Sequence, residues 1–189
     1  MKRVGVLISG RGSNLQALLD AQGPETPYRI ELVIANNPEA GGLDRARAAG
    51  VEARALDHRP YKKDREAFER DLDAMLRARK IEIVALAGFM RVLTPFFVRA
   101  WHERLVNIHP SLLPAFPGTD THARALAAGV KEHGATVHLV TEEVDSGPIL
   151  GQSRVPVFPE DTPATLAERV LQIEHRLYPQ ALAKLARSF

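Results

Sequence analysis

Short apolar runs alternate along the chain with segments in which apolar residues recur every three to four positions. A short apolar run is typical of a buried strand, whereas the three-to-four spacing indicates an amphipathic helix. Strands are predicted at 3–9, 30–36, 51–56, 81–88, 105–109, 134–140 and 149–157. Helices are predicted at 13–21, 42–50, 62–80, 94–101, 121–129 and 162–186.

Strands and helices alternate through the first half, which predicts an α/β fold with a Rossmann-like, mostly parallel sheet and helices on both faces. Only the tight turn EEVDSGP at 142–148 separates the last two strands, so a mixed C-terminal part is expected. In such sheets, ligands bind outside the carboxyl ends of the strands. Three candidate segments lie at predicted carboxyl ends: SGRGSN, AGFMRVL and NIHPS.

The amino-acid composition and net charge argue against several classes of function. The 189 residues are 45% hydrophobic and 25% charged, as in ordinary globular proteins, and suffice for one domain with a buried core. The absence of cysteine excludes disulfides, thiol nucleophiles and thiolate metal sites. The net charge of +2 is spread along the chain, so neither a nucleic-acid partner nor a membrane surface is indicated. A cytoplasmic location is expected.

The segment ISGRGSNLQ at 8–16 links the first strand to the first helix. Gly10 and Gly12 allow tight backbone, and Ser13 is predicted to cap the helix in a capping box with Gln16. Free amides and the helix dipole then favour an anion. Because Leu15 replaces the third glycine of a dinucleotide fingerprint and no G-K-[ST] follows, one phosphate monoester is the expected ligand. A plain helix cap after a glycine turn stays open as an alternative.

The segment VNIHPSLLPAFPG at 106–118 places an amide and an imidazole on one side of a strand end, since residues two apart share a face. The Asn107 amide can stabilise an oxyanion, and His109 can donate or relay a proton. A nearby carboxylate, either Asp120 or Asp145, would orient the imidazole and favour its charged form. This set suits transfer of an acyl-like carbon to a substrate that brings its own nucleophile.

Metal chemistry is not expected. The chain has seven histidines but no H-E-x-x-H motif and no cysteine partner. His138 is interpreted as strand packing or a hydrogen-bonded polar group.

Five segments resemble the phosphoribosylglycinamide formyltransferase family of purine biosynthesis: LISGRGSNLQAL, VALAGFMRVLTP, VNIHPSLLPAFPG, GATVHLVTEEVDSGPIL and EHRLYPQAL. The resemblance implies a Rossmann-like fold and one formyltransferase domain over 1–189. Its N-terminal half, about 1–100, would bind phosphate, and its C-terminal half, about 101–189, would carry catalysis and folate binding. The implied reaction moves a formyl group from 10-formyltetrahydrofolate to the amine of phosphoribosylglycinamide, without a metal, in a monomer or homodimer.

The resemblance also assigns residues. Asn107, His109 and Asp145 would be catalytic, with His109 as proton donor. The substrate would be held by Gly12, Ser13, Asn14 and Glu174. The 10-formyltetrahydrofolate site would comprise Arg65, Met90, Arg91, Val92, Leu93, Asn107, Thr141, Glu142, Glu143 and Val144.

Plainer alternatives remain for some of these residues. Glu174 is also compatible with a solvated helix position, and Arg65 with a helical ion pair to Glu69. The family often has a histidine where this chain has Asp120 and a lysine where it has Ala115.

Three other functions share part of this set of residues, and each needs a different accompanying feature. A methionyl-tRNA formyltransferase needs a further C-terminal domain and a basic surface, and a formyltetrahydrofolate deformylase needs an N-terminal regulatory domain. Neither feature is evident in a sequence whose first predicted strand begins at Arg3 and whose last residue is Phe189. A non-catalytic phosphate sensor would need the glycine loop alone.

Overall fold

The computed structural model describes all residues from Met1 to Phe189. The strands are β1 Lys2–Ile8, β2 Tyr28–Ala35, β3 Glu52–Ala55, β4 Ile83–Leu86, β5 Leu105–His109, β6 Glu132–Leu139 and β7 Ile149–Pro156. The helices are α1 Ser13–Asp20, α2 Gly42–Ala48, α3 Arg65–Ala78, α4 Pro95–Ala100, α5 Thr121–Ala127 and α6 Pro163–Arg187. A short 3₁₀ turn spans Arg59–Tyr61.

All seven strands form one sheet in the order β3-β2-β1-β4-β5-β6-β7. Strands β1 to β5 are parallel, whereas β6 pairs antiparallel with both β5 and β7. The connection between β6 and β7 is too short for a parallel crossover, which explains the change of direction. The predicted α/β fold with a mixed C-terminal part is therefore confirmed.

Helices cover both faces of the sheet, as predicted. Helices α1, α2 and α6 pack on one face, where the larger apolar core includes Val6 and Val106. Helices α3 and α4 pack on the other, with a core that includes Leu7 and Leu105. Since successive strand residues point to opposite faces, a strand buried on both sides must be apolar throughout, which is the pattern of the N-terminal run. No helix is both long and apolar enough to cross a bilayer.

Helix α1 begins at Ser13 as predicted, but its predicted cap is wrong, and so is the predicted start of α3. Ser13 does not cap α1, because Gly12 occupies the cap position with a φ of 76° and Gln16 instead donates to Asp20. Helix α3 begins at Arg65 rather than near 62, because the side chain of Asp64 caps it through the amide of Ala67. In both cases the local backbone, and not the apolar spacing, decides where the helix begins.

Tyr178 of α6 joins the long helix to the middle of the sheet. Its fully buried hydroxyl donates to the carbonyl of Leu86 at 2.7 Å and lies 3.2 Å from that of Val106. These carbonyls belong to the last residue of β4 and to the residue before Asn107. The hydroxyl therefore connects α6 to the ends of β4 and β5, where two of the three candidate segments lie.

The Tyr178→Phe variant should lose about 1–3 kcal/mol of unfolding free energy, because two buried carbonyls lose their hydroxyl contact. Urea denaturation measures the loss. Tyr61→Phe is the matched control, because the Tyr61 hydroxyl bonds Asp71 at the exposed surface. We expect a change within about 0.5 kcal/mol for this control. Equal stability of Tyr178→Phe and wild type would contradict the anchoring role.

Candidate active site

The three candidate segments SGRGSN, AGFMRVL and NIHPS meet at one edge of the sheet. Strands β1, β4 and β5 are neighbours and run parallel, so their carboxyl ends lie side by side. In β5, Asn107 is opposite His138 of β6, and His109 is opposite Thr136. Asn107 and His109 therefore share a face, as predicted, while Ile108 between them belongs to the opposite core.

Asp145, and not Asp120, lies beside the imidazole. Its Oδ2 atom is 3.5 Å from Nδ1 of His109 and accepts a hydrogen bond from the amide of Gly118 at 2.8 Å. Asp120 is exposed at the start of α5, and its carboxylate contacts only the hydroxyl of Thr119. The structure thus separates the two candidates that sequence spacing left open.

The hydrogen bonds of His109 define its tautomer. Nε2 lies 2.9 Å from the carbonyl of Phe116. A carbonyl only accepts, so Nε2 carries a hydrogen, and Nδ1 is the nitrogen directed toward Asp145. The imidazole itself is only 6% exposed and meets the neighbouring cleft through Asp145.

His138 presents a second nitrogen to the same carboxylate. Its Nδ1 donates to the carbonyl of Leu139 at 3.0 Å, and its unpartnered Nε2 is 3.7 Å from Oδ1 of Asp145. Burial lowers the pKa of His138 more than the charge of Asp145 raises it, so the ring is neutral near pH 7. Of the two interpretations offered for His138, strand packing is correct, while the ring is hydrogen-bonded at Nδ1 and not at Nε2.

Beside this group is a cavity of about 150 Å³. The predicted folate-site residues that line it are Arg91, Val92, Leu93, Asn107, Thr141, Glu142 and Val144, and Asp145 lines it as well. Sequence reasoning missed five other lining residues, which are Leu86, Phe89, Val98, His138 and Val140. Four of these are apolar: Leu86 ends β4, Val140 follows β6, Phe89 begins the 89–94 loop and Val98 lies in α4. The side-chain amide of Asn107 makes no hydrogen bond within the protein, so it is free to bind a ligand.

Three predicted folate-site residues lie outside this cavity. Arg65 donates to the carbonyl of Val92 at 3.1 Å and so supports the 89–94 loop from α3. Met90 has a side chain that is 78% exposed, while its amide donates to the hydroxyl of Ser9. Glu143 points to solvent at the rim. The alternative ion pair between Arg65 and Glu69 is wrong, because buried Glu69 accepts hydrogen bonds from the amide and hydroxyl of Thr94.

The glycine loop forms a second cavity of about 180 Å³, lined by residues 10–14, Ala87 and Gly88. Two features of the backbone require a glycine at position 12. The φ of Gly12 is 76°, and a Cβ atom there would lie 2.9 Å from the Cα atom of Gly42. The amides of residues 13–15 find no acceptor within the protein. Free amides at a helix start favour an anion.

Glu174 connects α6 to this loop. It is only 7% exposed and accepts a hydrogen bond from Nδ2 of Asn14 at 3.3 Å, so the solvated alternative is wrong. Burial raises the pKa of Glu174 to about 7. The Oδ1 atom of Asn14 is also buried and unpartnered. Asn14, which lines the glycine-loop cavity, therefore has unused hydrogen-bonding capacity, and Glu174 is bonded to its amide group.

A larger, open groove of about 700 Å³ lies between α1 and α6. It contains Ser13 but none of Asn107, His109 and Asp145. Size alone therefore does not identify the site on this molecule, since the chemistry is concentrated in the two smaller cavities.

Comparison with known proteins shows the family of this chain. The family model described as formyl transferase matches residues 2–182. The chain belongs to the formyl transferase family. This confirms the family resemblance found in the sequence motifs.

Relatives within the formyl transferase family include the phosphoribosylglycinamide formyltransferase of Escherichia coli (strain K12). It is 44% identical over 182 residues, which cover 96% of this chain and 85% of that protein. The trifunctional purine biosynthetic protein adenosine-3 of Homo sapiens is 49% identical over 97% of this chain. The chain spans only 18% of the length of that relative. The crystal structure of glycinamide ribonucleotide transformylase 1 from Symbiobacterium toebii superposes with a TM-score of 0.96 at 47% identity, covering 100% of this chain and 89% of that one.

The Glu174→Gln variant should remove a pH dependence of stability. The unfolded carboxyl ionises near 4.5 and the folded one near 7, so wild type loses stability as the pH rises between these values. The loss is at most about 3 kcal/mol and is complete above the folded pKa. Urea denaturation at pH 5 and pH 8 measures it in both proteins.

Glu168→Gln is the matched control, because Glu168 is exposed on the same helix. This control should keep the pH dependence of wild type. If Glu174→Gln also kept it, the buried carboxyl would not be its source.

Proposed function

We propose that this protein transfers a formyl group from 10-formyltetrahydrofolate to the amine of phosphoribosylglycinamide, in de novo purine biosynthesis. The products are phosphoribosyl-N-formylglycinamide and tetrahydrofolate. One observation carries the proposal: the glycine loop and the cleft of Asn107 and Asp145 open at neighbouring strand ends on one sheet edge. A phosphate held at the loop leaves the amine at the other end of the substrate free to reach a formyl group in the cleft.

The phosphate is proposed to bind the loop residues Gly12, Ser13 and Asn14 through the free amides at the start of α1. Glu174 accepts hydrogen bonds from other polar groups of the ribonucleotide, which compensates the burial of its carboxyl. The apolar walls formed by Phe89, Leu93 and Val140 suit a flat heterocycle such as a pterin, with polar groups at one end of the cavity.

The proposed reaction begins when the amine nitrogen attacks the formyl carbon and the carbonyl oxygen becomes an oxyanion. The free amide of Asn107 and protonated His109 stabilise that oxyanion. The carboxylate of Asp145, whose Oδ2 atom is 3.5 Å from Nδ1 of His109, orients the imidazole. The bond from the formyl carbon to N10 of the folate then breaks. The proton lost by the attacking nitrogen passes to N10, directly or through water.

The remaining expectations stay predictions. They are a single formyltransferase domain over 1–189 with the two halves given above, a cytoplasmic location, a monomer or homodimer, and no metal or nucleic-acid partner.

Asn107→Ala should lower kcat by about 10²–10³-fold, because one donor to the oxyanion is lost, with little change in KM. His109→Ala should likewise reduce turnover far more than substrate affinity. Steady-state kinetics with both substrates measures these effects. Asn37→Ala is the matched control, since Asn37 is partly exposed and its side chain bonds only the amide of Glu39. A near-normal rate for His109→Ala would refute its assigned role.

Tetrahydrofolate release, measured with and without phosphoribosylglycinamide, tests the function itself. Release should require the amine, because the formyl group has no other acceptor in the proposed reaction. Release that ignores the amine would indicate a deformylase, and no release at all would indicate a sensor.

A further inference from the structure

Residues 116–119 contribute one hydrogen bond to each member of the His109–Asp145 pair. The carbonyl of Phe116 accepts from Nε2 of His109 at 2.9 Å. The amide of Gly118 donates to Oδ2 of Asp145 at 2.8 Å. This 116–119 segment therefore orients both side chains through its backbone alone.

The low burial and the backbone conformation of the 116–119 segment do little to hold it in place. Pro117, Gly118 and Thr119 are exposed, and only Phe116 is partly buried. Phe116 has a φ of 52°, in the left-handed region that non-glycine residues seldom adopt. Such a backbone persists only where surrounding contacts hold it. The contacts that hold this segment consequently control the geometry of the catalytic pair.

Arg124 of α5 makes several of those contacts at once. Its Nη1 atom donates to the carbonyls of Pro117 and Thr119, the latter at 3.1 Å. Its guanidinium lies 5.6 Å from the ring centroid of Phe116, and the ring of His133 meets Phe116 at 6.1 Å. The side chain thus contacts both flanks of Gly118 and the residue whose carbonyl binds His109.

Contacts with the core and with the end of β5 hold helix α5, and with it the backbone of Arg124, in place. Ala125 is buried in the larger core, and the hydroxyl of Thr121 donates to the carbonyl of Pro110 at 2.7 Å. A contact made from α5 is therefore fixed relative to the end of β5.

We propose that Arg124 is a positioning residue that holds the 116–119 segment in the conformation that orients His109 and Asp145. The inference rests on the proposed function, since it concerns the geometry of that reaction. Arg124 touches neither the cleft nor the glycine loop, so it acts on turnover and not on substrate affinity. A planar guanidinium that contacts two carbonyls and an aromatic ring is poorly replaced by an ammonium group.

The test compares Arg124→Ala and Arg124→Lys with wild type by steady-state kinetics, thermal unfolding and NMR of protein labelled with ¹⁵N-histidine. Arg124→Ala should lower kcat about tenfold through misplacement of the pair, with both KM values within about twofold. The lysine variant should fall between it and wild type. The Nε2–H cross-peak of His109, assigned with His109→Ala, should be present in wild type and lost by solvent exchange in Arg124→Ala.

Arg104→Ala is the matched control. Arg104 is also exposed and lies 5.9 Å from an aromatic ring, that of Phe189, but it does not contact residues 116–119. It should keep the wild-type kcat and the cross-peak, with a thermal midpoint close to that of Arg124→Ala.

Three results would overturn the proposal: a kcat of Arg124→Ala equal to that of the control, a raised KM at unchanged kcat, or a retained cross-peak. A retained cross-peak together with a lowered midpoint would assign Arg124 a purely structural role. The cross-peak does not depend on turnover. A wild-type protein without amine-dependent tetrahydrofolate release would therefore refute the proposed function while the NMR comparison still decides the role of Arg124.

Discussion

The antiparallel register between β5 and β6 is the constraint on which the site depends. It sets Asn107 opposite His138 and His109 opposite Thr136, and it directs the turn after β6 back toward β5. That turn carries Asp145 to the imidazole. Because side chains alternate along a strand, a slip of one residue would turn Asn107 and His109 into the core packed by α6. Burial of Ile108 between them opposes such a slip.

The candidate site combines buried polar side chains with residues whose backbone φ angles are positive. Asp145, Phe116 and Asp120 all have φ values between 52° and 53°, a conformation that costs free energy for non-glycine residues. Hydrogen bonds from these loops to His109 and Asp145 offset part of that cost. Glu174 and His138 are held in surroundings that favour their neutral forms. Free energy gained in the two apolar cores elsewhere in the molecule stabilises this local arrangement.

The two cavities divide the chemistry between backbone and side chains. At the glycine loop, the groups free to bind a ligand include the backbone amides of residues 13–15, and the conformation of Gly12 leaves no room for a side chain. In the cleft, the groups are the amide of Asn107 and the carboxylate of Asp145, framed by apolar walls. Neither cavity is the largest on the molecule; one is distinguished by Asn107 and Asp145 in its lining, and the other by the glycine loop.

Periodicity and local motifs were enough to predict the order of strands and helices, the parallel sheet, the glycine loop and the shared face of Asn107 and His109. These features follow from nearest-neighbour geometry, which residue spacing encodes. Tertiary structure alone decided that Asp145 lies beside His109, that Glu174 is buried against Asn14, and that the cap of α1 is Gly12. It also placed Arg65, Met90 and Glu143 outside the cleft. Apart from the local backbone at Gly12, these outcomes depend on contacts between segments far apart in the chain. Residue spacing along one strand or helix does not specify the distances between such segments.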